Sequence, residues 1–239
     1  MTARHGDQEM PRARCQLQMT PEPLQATLFS DLPWDPWYFE RRAQRRNFLR
    51  IAGVDEVGRG PLAGPVVAAA VVLPCGKDLP EVRDSKLLSP AKRRVCYDRI
   101  HKVATAIGIG VVSAAEIDRT NILAASLKAM RQALAQINPL PDFVLVDGPW
   151  PVPVQLPQRP LKSGDQLSIS VAAASIIAKV HRDEMMISYH ASYPHYNFAQ
   201  NKGYGTKEHR AALARFGSCP LHRQTFRGVR TNAANPSTY

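Results

Sequence analysis

The sequence predicts a mixed α/β domain with a helical C-terminal part, and three observations predict it. Residues 49–56 come first and read as a strand, and residues 64–73, dense in Val and Ala, read as its neighbour. A strand–helix–strand alternation follows over residues 107–113, 121–137 and 143–146. The longest helical pattern, residues 170–189, then leads into short helical pieces separated by glycine turns.

Taken in order, residues 1–47 read as an extension. They hold Pro11, Pro21, Pro23, Pro33 and Pro36 and no sustained apolar period, so a largely disordered or loosely attached segment is expected. At its end Trp34, Trp37, Tyr38 and Phe39 precede Arg41, Arg42, Arg45 and Arg46. This pattern suits either a short basic helix touching a phosphate backbone or a solvated lead-in. The globular domain is expected over residues 48–227. Its first two strands are joined by the turn Gly58-Arg59-Gly60 and should pair antiparallel. Pro90–Val103 reads as a helix because Ser89 can cap it and Pro90 suits the first helical position. Asn121 caps the next strong helix, which Asn138 and Pro139 end. Residues 143–146 form a short buried strand that stops at Asp147-Gly148-Pro149, and residues 150–160 read as a proline-rich connection. Residues 228–239 read as a polar, disordered tail.

The composition bounds the function class. A chain of 239 residues suffices for one domain with a full core plus extensions. No apolar run approaches a membrane span, and the first residues lack the apolar stretch of a signal peptide. Cys15, Cys75, Cys96 and Cys219 lie far apart and suggest neither a disulfide framework nor a zinc site. A soluble, cytoplasmic protein with no membrane partner is expected. The formal net charge of +11 favours a polyanionic partner such as nucleic acid, although a basic surface also serves solubility.

The chemistry concentrates in acids at strand ends. Asp55 and Glu56 end the first strand and precede the glycine–arginine–glycine turn. Ionised carboxylates are costly to bury unless paired or bound to a metal, so this pair suits metal ligands at a strand edge. An exposed acidic hairpin turn is the simpler alternative. Such a glycine turn can bring backbone N–H groups and one guanidinium up to a phosphate. Asp147 terminates a second strand, where ligands gather in open α/β sheets, but an Asp-Gly-Pro turn is also common in loops. Ser175, Lys179 and Asp183 are spaced by four and share a face of the long helix. Lys179 and Asp183 make either a plain ion pair or the edge of a site. A set of Asp and Glu without His or Cys suits two Mg²⁺ or Mn²⁺ ions about 4 Å apart, which activate water and neutralise charge in phosphodiester hydrolysis.

Several segments, in this order, resemble ribonuclease HII, the bacterial type 2 ribonuclease H. They are GVDEVGRGPLAGPV from Gly53, DSKLLS from Asp84, Asn121-Ile122, VDG from Val146, SISVAAASIIAKVHRD from Ser168, GYGT from Gly203 and HRQTF from His222. The resemblance covers residues 49–226. It implies an RNase H-like core, a mixed five-stranded sheet flanked by helices with extra C-terminal helices. It implies a catalytic and metal-binding quartet of Asp55, Glu56, Asp147 and Asp183, and a monomer. The implied reaction cuts 5′ of a ribonucleotide, in RNA/DNA hybrids or singly embedded in duplex DNA, leaving 3′-hydroxyl and 5′-phosphate ends. Gly58, Arg59, Gly60 and Tyr204 would sense the 2′-hydroxyl, the group that distinguishes RNA from DNA. Lys86, Ser175, Lys179 and Thr206 would support substrate contacts. Leu87 stands where the family usually has a second lysine, and Thr225 where serine is usual.

Gln25, Leu28 and Phe29 in the extension resemble the short peptide by which bacterial proteins dock on the replicative sliding clamp. Two other classes compete with the ribonuclease. A non-catalytic nucleic-acid or clamp-binding protein has no use for four acids facing a polyanion. A DNA nuclease of the same fold shares the acids but not the glycine turn paired with the downstream Gly-Tyr-Gly-Thr.

Overall fold

The computed structural model describes residues 35–77, 79–82 and 88–229. The first element is α1 (Tyr38–Gln44), followed by β1 (Ile51–Val57), β2 (Val66–Val72), α2 (Pro90–Val103), β3 (Ala106–Val112), α3 (Ala114–Arg119) and α4 (Ile122–Ala135). Then come β4 (Phe143–Asp147), β5 (Gln158–Leu161), α5 (Gly164–Leu167), the long α6 (Ile169–Ser192), a 3-10 turn at Pro194–Tyr196, α7 (Phe198–Asn201) and α8 (Lys207–Phe216). The sheet is mixed and five-stranded, in the order β3-β2-β1-β4-β5. β1–β2 and β2–β3 pair antiparallel, while β1–β4 and β4–β5 pair parallel.

Alternation sorts the sheet residues onto two cores. Ala52, Val54, Val66, Ala68, Ala70, Val144 and Val146 face one cluster with Ala125, Ala129 and Ala133 of α4. Val67, Ala69 and Val71 face the other, with Ile169, Ala173 and Ile177 of α6 and Ile100 of α2. Both main helices lie close on the strands. A Cβ on Gly53 would come within 2.1 Å of the Ser170 backbone, and one on Gly110 within 1.9 Å of the Ala129 carbonyl oxygen. This contact sets α6 directly across β1.

α2 has the bounds that its cap predicts: the Ser89 hydroxyl accepts from Lys92 N at 3.3 Å, with Pro90 at the first position. Three elements differ from the sequence reading. Residues 35–47, placed there in the extension, carry α1, whose Trp37, Glu40 and Ala43 are buried. The Glu40 carboxylate accepts from Ser168 Oγ at 2.6 Å and Ser170 N at 3.0 Å, which ties α1 to the start of α6. The proline-rich connection contains β5, where Pro160 is tolerated because the strand lies at the sheet edge. Ser113 caps the short α3, which the sequence reading passed over.

Candidate active site

The strand pattern that builds the core also aims the acids. On β1, Gly53 and Asp55 share the α6 side; on β4, Leu145 and Asp147 share the side that packs on Val171 of α6. Asp55, Glu56, Val57, Asp147, Ser175, Lys179 and Tyr204 line one pocket of about 260 Å³. Six predicted site residues therefore meet in one place.

Asp55 is 5% exposed. Its carboxylate accepts from Glu56 N at 2.6 Å and from the Ser175 hydroxyl. Burial pushes its carboxyl well above the usual range, and the charges of Glu56, Asp147 and Asp165 push the same way. Burial also raises Glu56, against the pull of Arg59, whose guanidinium lies 3.0 Å away. Asp147 Oδ1 accepts from Gly164 N at 2.6 Å. Among the described residues, no three His, Cys, Asp or Glu side chains stand in a ready-made metal cage. The acids converge on the pocket, but each is turned toward a donor of the chain itself. The donor chemistry nonetheless fits a hard cation, with carboxylate and hydroxyl oxygens in the lining and a buried acid, Asp55, raised by the negative charges of its neighbours.

Asp183 is the one acid of the expected quartet that stands apart from the others. It does not line the pocket. Its carboxylate is held by Lys179 Nζ at 2.8 Å and by Arg93 at 3.9 Å. Eight residues separate Ser175 from Asp183, roughly 12 Å along a helix axis, so a shared face does not mean a shared site. Asp165 does not line the pocket either, but its charge acts on Asp55 and it lies, 4% exposed on α5, beside the Gly164 amide that holds Asp147. The Thr206 hydroxyl caps α8, accepting from His209 N at 3.2 Å. Lys86, Leu87, Gln25, Leu28 and Phe29 lie outside the described residues.

Beside the pocket, two fully buried arginines shape the Gly58-Arg59-Gly60 turn. Arg223 donates to the carbonyls of Gly58 at 2.5 Å, Arg59 at 2.8 Å and Gly64 at 3.1 Å. Arg182 donates to those of Pro65 at 2.9 Å, Lys202 at 3.0 Å and Ala63 at 3.2 Å. In a trans peptide the N–H points opposite to the C=O, so drawing these carbonyls inward turns the Arg59 and Gly60 amides outward. Gly58 has φ +93°, and a Cβ there would strike Arg182. A Cβ on Gly60 would lie 3.9 Å from the Tyr204 ring, which places the turn and the half-exposed tyrosine side by side. Sequence reasoning missed both arginines, although they sit inside the quoted segments ending at Asp183 and starting at His222.

The ribonuclease HII family model matches residues 52–229. Ribonuclease HII of Syntrophotalea carbinolica is 55% identical over 203 residues, 85% of this chain and 97% of that protein. The Geobacter sulfurreducens protein of that name is 55% identical over 208 residues, covering 87% and 96%. Among solved structures, the ribonuclease H2 of Pyrococcus horikoshii superposes with a TM-score of 0.64 at 25% identity, covering 75% of this chain and 95% of that one. The ribonuclease HII in a PCNA complex from Archaeoglobus fulgidus superposes with a TM-score of 0.65 at 25% identity, covering 78% and 98%.

Proposed function

The chain belongs to the ribonuclease HII family and is a type 2 ribonuclease H endonuclease, and we propose that it cuts 5′ of ribonucleotides in RNA/DNA hybrids and of single ribonucleotides in duplex DNA. The observation that carries this reading is the pocket itself, where strand-end acids, Lys179 and Tyr204 meet beside an arginine-shaped glycine turn. Asp55, Glu56 and Asp147 would hold Mg²⁺ or Mn²⁺, with Asp165 completing the set of acids. A bound divalent cation of this kind supplies an activated water and neutralises charge on the reacting phosphate.

The chain's own groups do the rest. Ser175 fixes one carboxylate oxygen of Asp55, so the acid presents a defined edge to the pocket. Lys179 brings a cation to the pocket wall, positioned by its pairing with Asp183. The outward amides of Arg59 and Gly60 can donate to a phosphate or a 2′-hydroxyl, and the Tyr204 ring can stack on the neighbouring sugar or base. The resulting ends are a 3′-hydroxyl and a 5′-phosphate.

Tyr204→Ala tests the junction reading. It should lower kcat/KM on a single embedded ribonucleotide by about 10- to 100-fold, in line with lost stacking of roughly 1–3 kcal/mol, and lower it much less on a long hybrid. Equal losses on both substrates would rule out junction sensing by this tyrosine. Among the described residues no helix is long and apolar enough to cross a membrane. A cytoplasmic monomer acting in ribonucleotide removal from DNA is the setting proposed, and gel filtration that gives a dimer mass would reject the monomer. Clamp docking through Gln25, Leu28 and Phe29 is proposed from the peptide pattern, and the Archaeoglobus relative is itself described in a complex with PCNA. The Leu28→Ala/Phe29→Ala variant should lose capture by the sliding clamp, whereas undiminished capture would remove the idea.

A further inference from the structure

His209 and His222 are both buried, and their Nε2 atoms lie 3.0 Å apart. Each ring also touches a backbone group on its other side. His222 Nδ1 lies 2.9 Å from Cys219 N and 3.3 Å from Cys219 O, while His209 Nδ1 lies 2.8 Å from Tyr204 O. Only one arrangement of protons satisfies the whole chain. The Tyr204 carbonyl can only accept, so the His209 proton sits on Nδ1 and its Nε2 is an acceptor. His222 must then donate from Nε2, which leaves its Nδ1 free to accept from the Cys219 amide at the shorter of its two contacts. The opposite pair of tautomers would set the His209 Nδ1 lone pair against the Tyr204 oxygen. A third proton would set two N–H groups head to head.

Packing keeps both rings neutral. Phe198 meets His209 edge-on at 5.5 Å, and Tyr196 meets His222 edge-on at 4.7 Å. Burial lowers both histidines, and His222, which also feels His209, is held at about 4. An ordinary core pair would need no particular terminus. This one ends on the backbone of the residue whose ring lines the pocket, in a turn flanked by Gly203 and Gly205. The Tyr204 carbonyl accepts from Thr206 N at 2.8 Å as well, so His209 is its one side-chain anchor among the described hydrogen bonds.

We propose that His209 and His222 form a tautomer-locked relay that positions Tyr204, making them positioning residues for recognition of the ribonucleotide junction. The inference rests on the junction reading of Tyr204 given above.

The test measures kcat/KM of the full-length protein on a single-ribonucleotide duplex and on a long RNA/DNA hybrid, at a temperature where thermal melts show every variant folded. His209→Leu should lower the single-ribonucleotide to hybrid ratio about five- to ten-fold, the scale of one lost hydrogen bond. His209→Asn, whose amide nitrogen can take the place of Nδ1, should keep the ratio within about two-fold. In a Tyr204→Ala background, His209→Leu should change the ratio no further. A selective Tyr204→Ala combined with an unchanged ratio in His209→Leu, or with additive effects in the double variant, overturns the relay but leaves the junction reading standing. A non-selective Tyr204→Ala overturns both. If the histidine variants fail to fold, nitrogen-15 chemical shifts of the wild-type rings decide instead. The relay requires a proton on Nδ1 of His209 and on Nε2 of His222, and either opposite tautomer overturns it.

Discussion

Asp55→Asn is expected to lose cleavage by at least about 10³-fold, the several kcal/mol that a metal-holding carboxylate contributes, and at the same time to make the metal-free protein more stable. The loss follows from the central place of Asp55 in the pocket, between Glu56, Asp147 and Ser175. The gain follows from its raised carboxyl. Where the folded pKa lies above the unfolded one, the native state holds a proton that the unfolded state has already released. Stability therefore falls as pH rises from the ordinary carboxylate range, near 3.9, through the raised folded value, and the whole penalty is present above it. An amide carries no such penalty and can still accept from Glu56 N. Thermal melts at neutral pH without divalent ions should show Asp55→Asn more stable by on the order of 1–3 kcal/mol, about 2–4 °C for each kcal/mol. Duplex binding should persist. A variant that cuts at near-normal rates refutes the site, and one that melts lower than wild type refutes the electrostatic account of Asp55.

Asp165→Asn and Asp183→Asn should separate cleanly. Asp165 is buried and adds its charge to the environment of Asp55, and the amide next to it holds Asp147. Its replacement should cost about 10²-fold or more in kcat, the scale of losing one group that stabilises developing charge. Asp183 is occupied by Lys179 and Arg93 outside the pocket. Partly exposed ion pairs contribute little, so Asp183→Asn should stay within about tenfold of wild type and should act mainly through the placement of Lys179. The reverse ranking, measured by single-turnover cleavage, would restore Asp183 to the quartet and remove Asp165.

How far the site could be read from sequence follows from how local each signal is. An apolar run that stops at an acid is a local pattern. It located Asp55, Glu56 and Asp147 because strand alternation then fixes which side each acid takes. The cap of α2 is local too, and it set the start of that helix. Asp165 carries no such signal, since its place depends on α5 folding back against the end of β4. β5 was hidden by a polar, proline-containing sequence that only a sheet edge accepts. α1 was open to a reading as a short basic helix, but its docking was hidden, because its burial comes from Trp37, Ala43 and the contacts of Glu40 with the start of α6. Asp183 shows the converse limit. Spacing by four fixes the face of a helix but not the position along it, and α6 is 24 residues long. Arg182 and Arg223 were present in recognised segments, but their inward reach to backbone carbonyls is visible only in three dimensions.

The most direct measurement uses three labelled duplexes in Mg²⁺, with and without EDTA: all-DNA, DNA with one embedded ribonucleotide, and an RNA/DNA hybrid. The predicted result is EDTA-sensitive cleavage 5′ of the single ribonucleotide and along the hybrid, leaving 3′-hydroxyl and 5′-phosphate ends, with the all-DNA duplex intact. Binding without cleavage in both Mg²⁺ and Mn²⁺, or cutting of the all-DNA duplex, would contradict it.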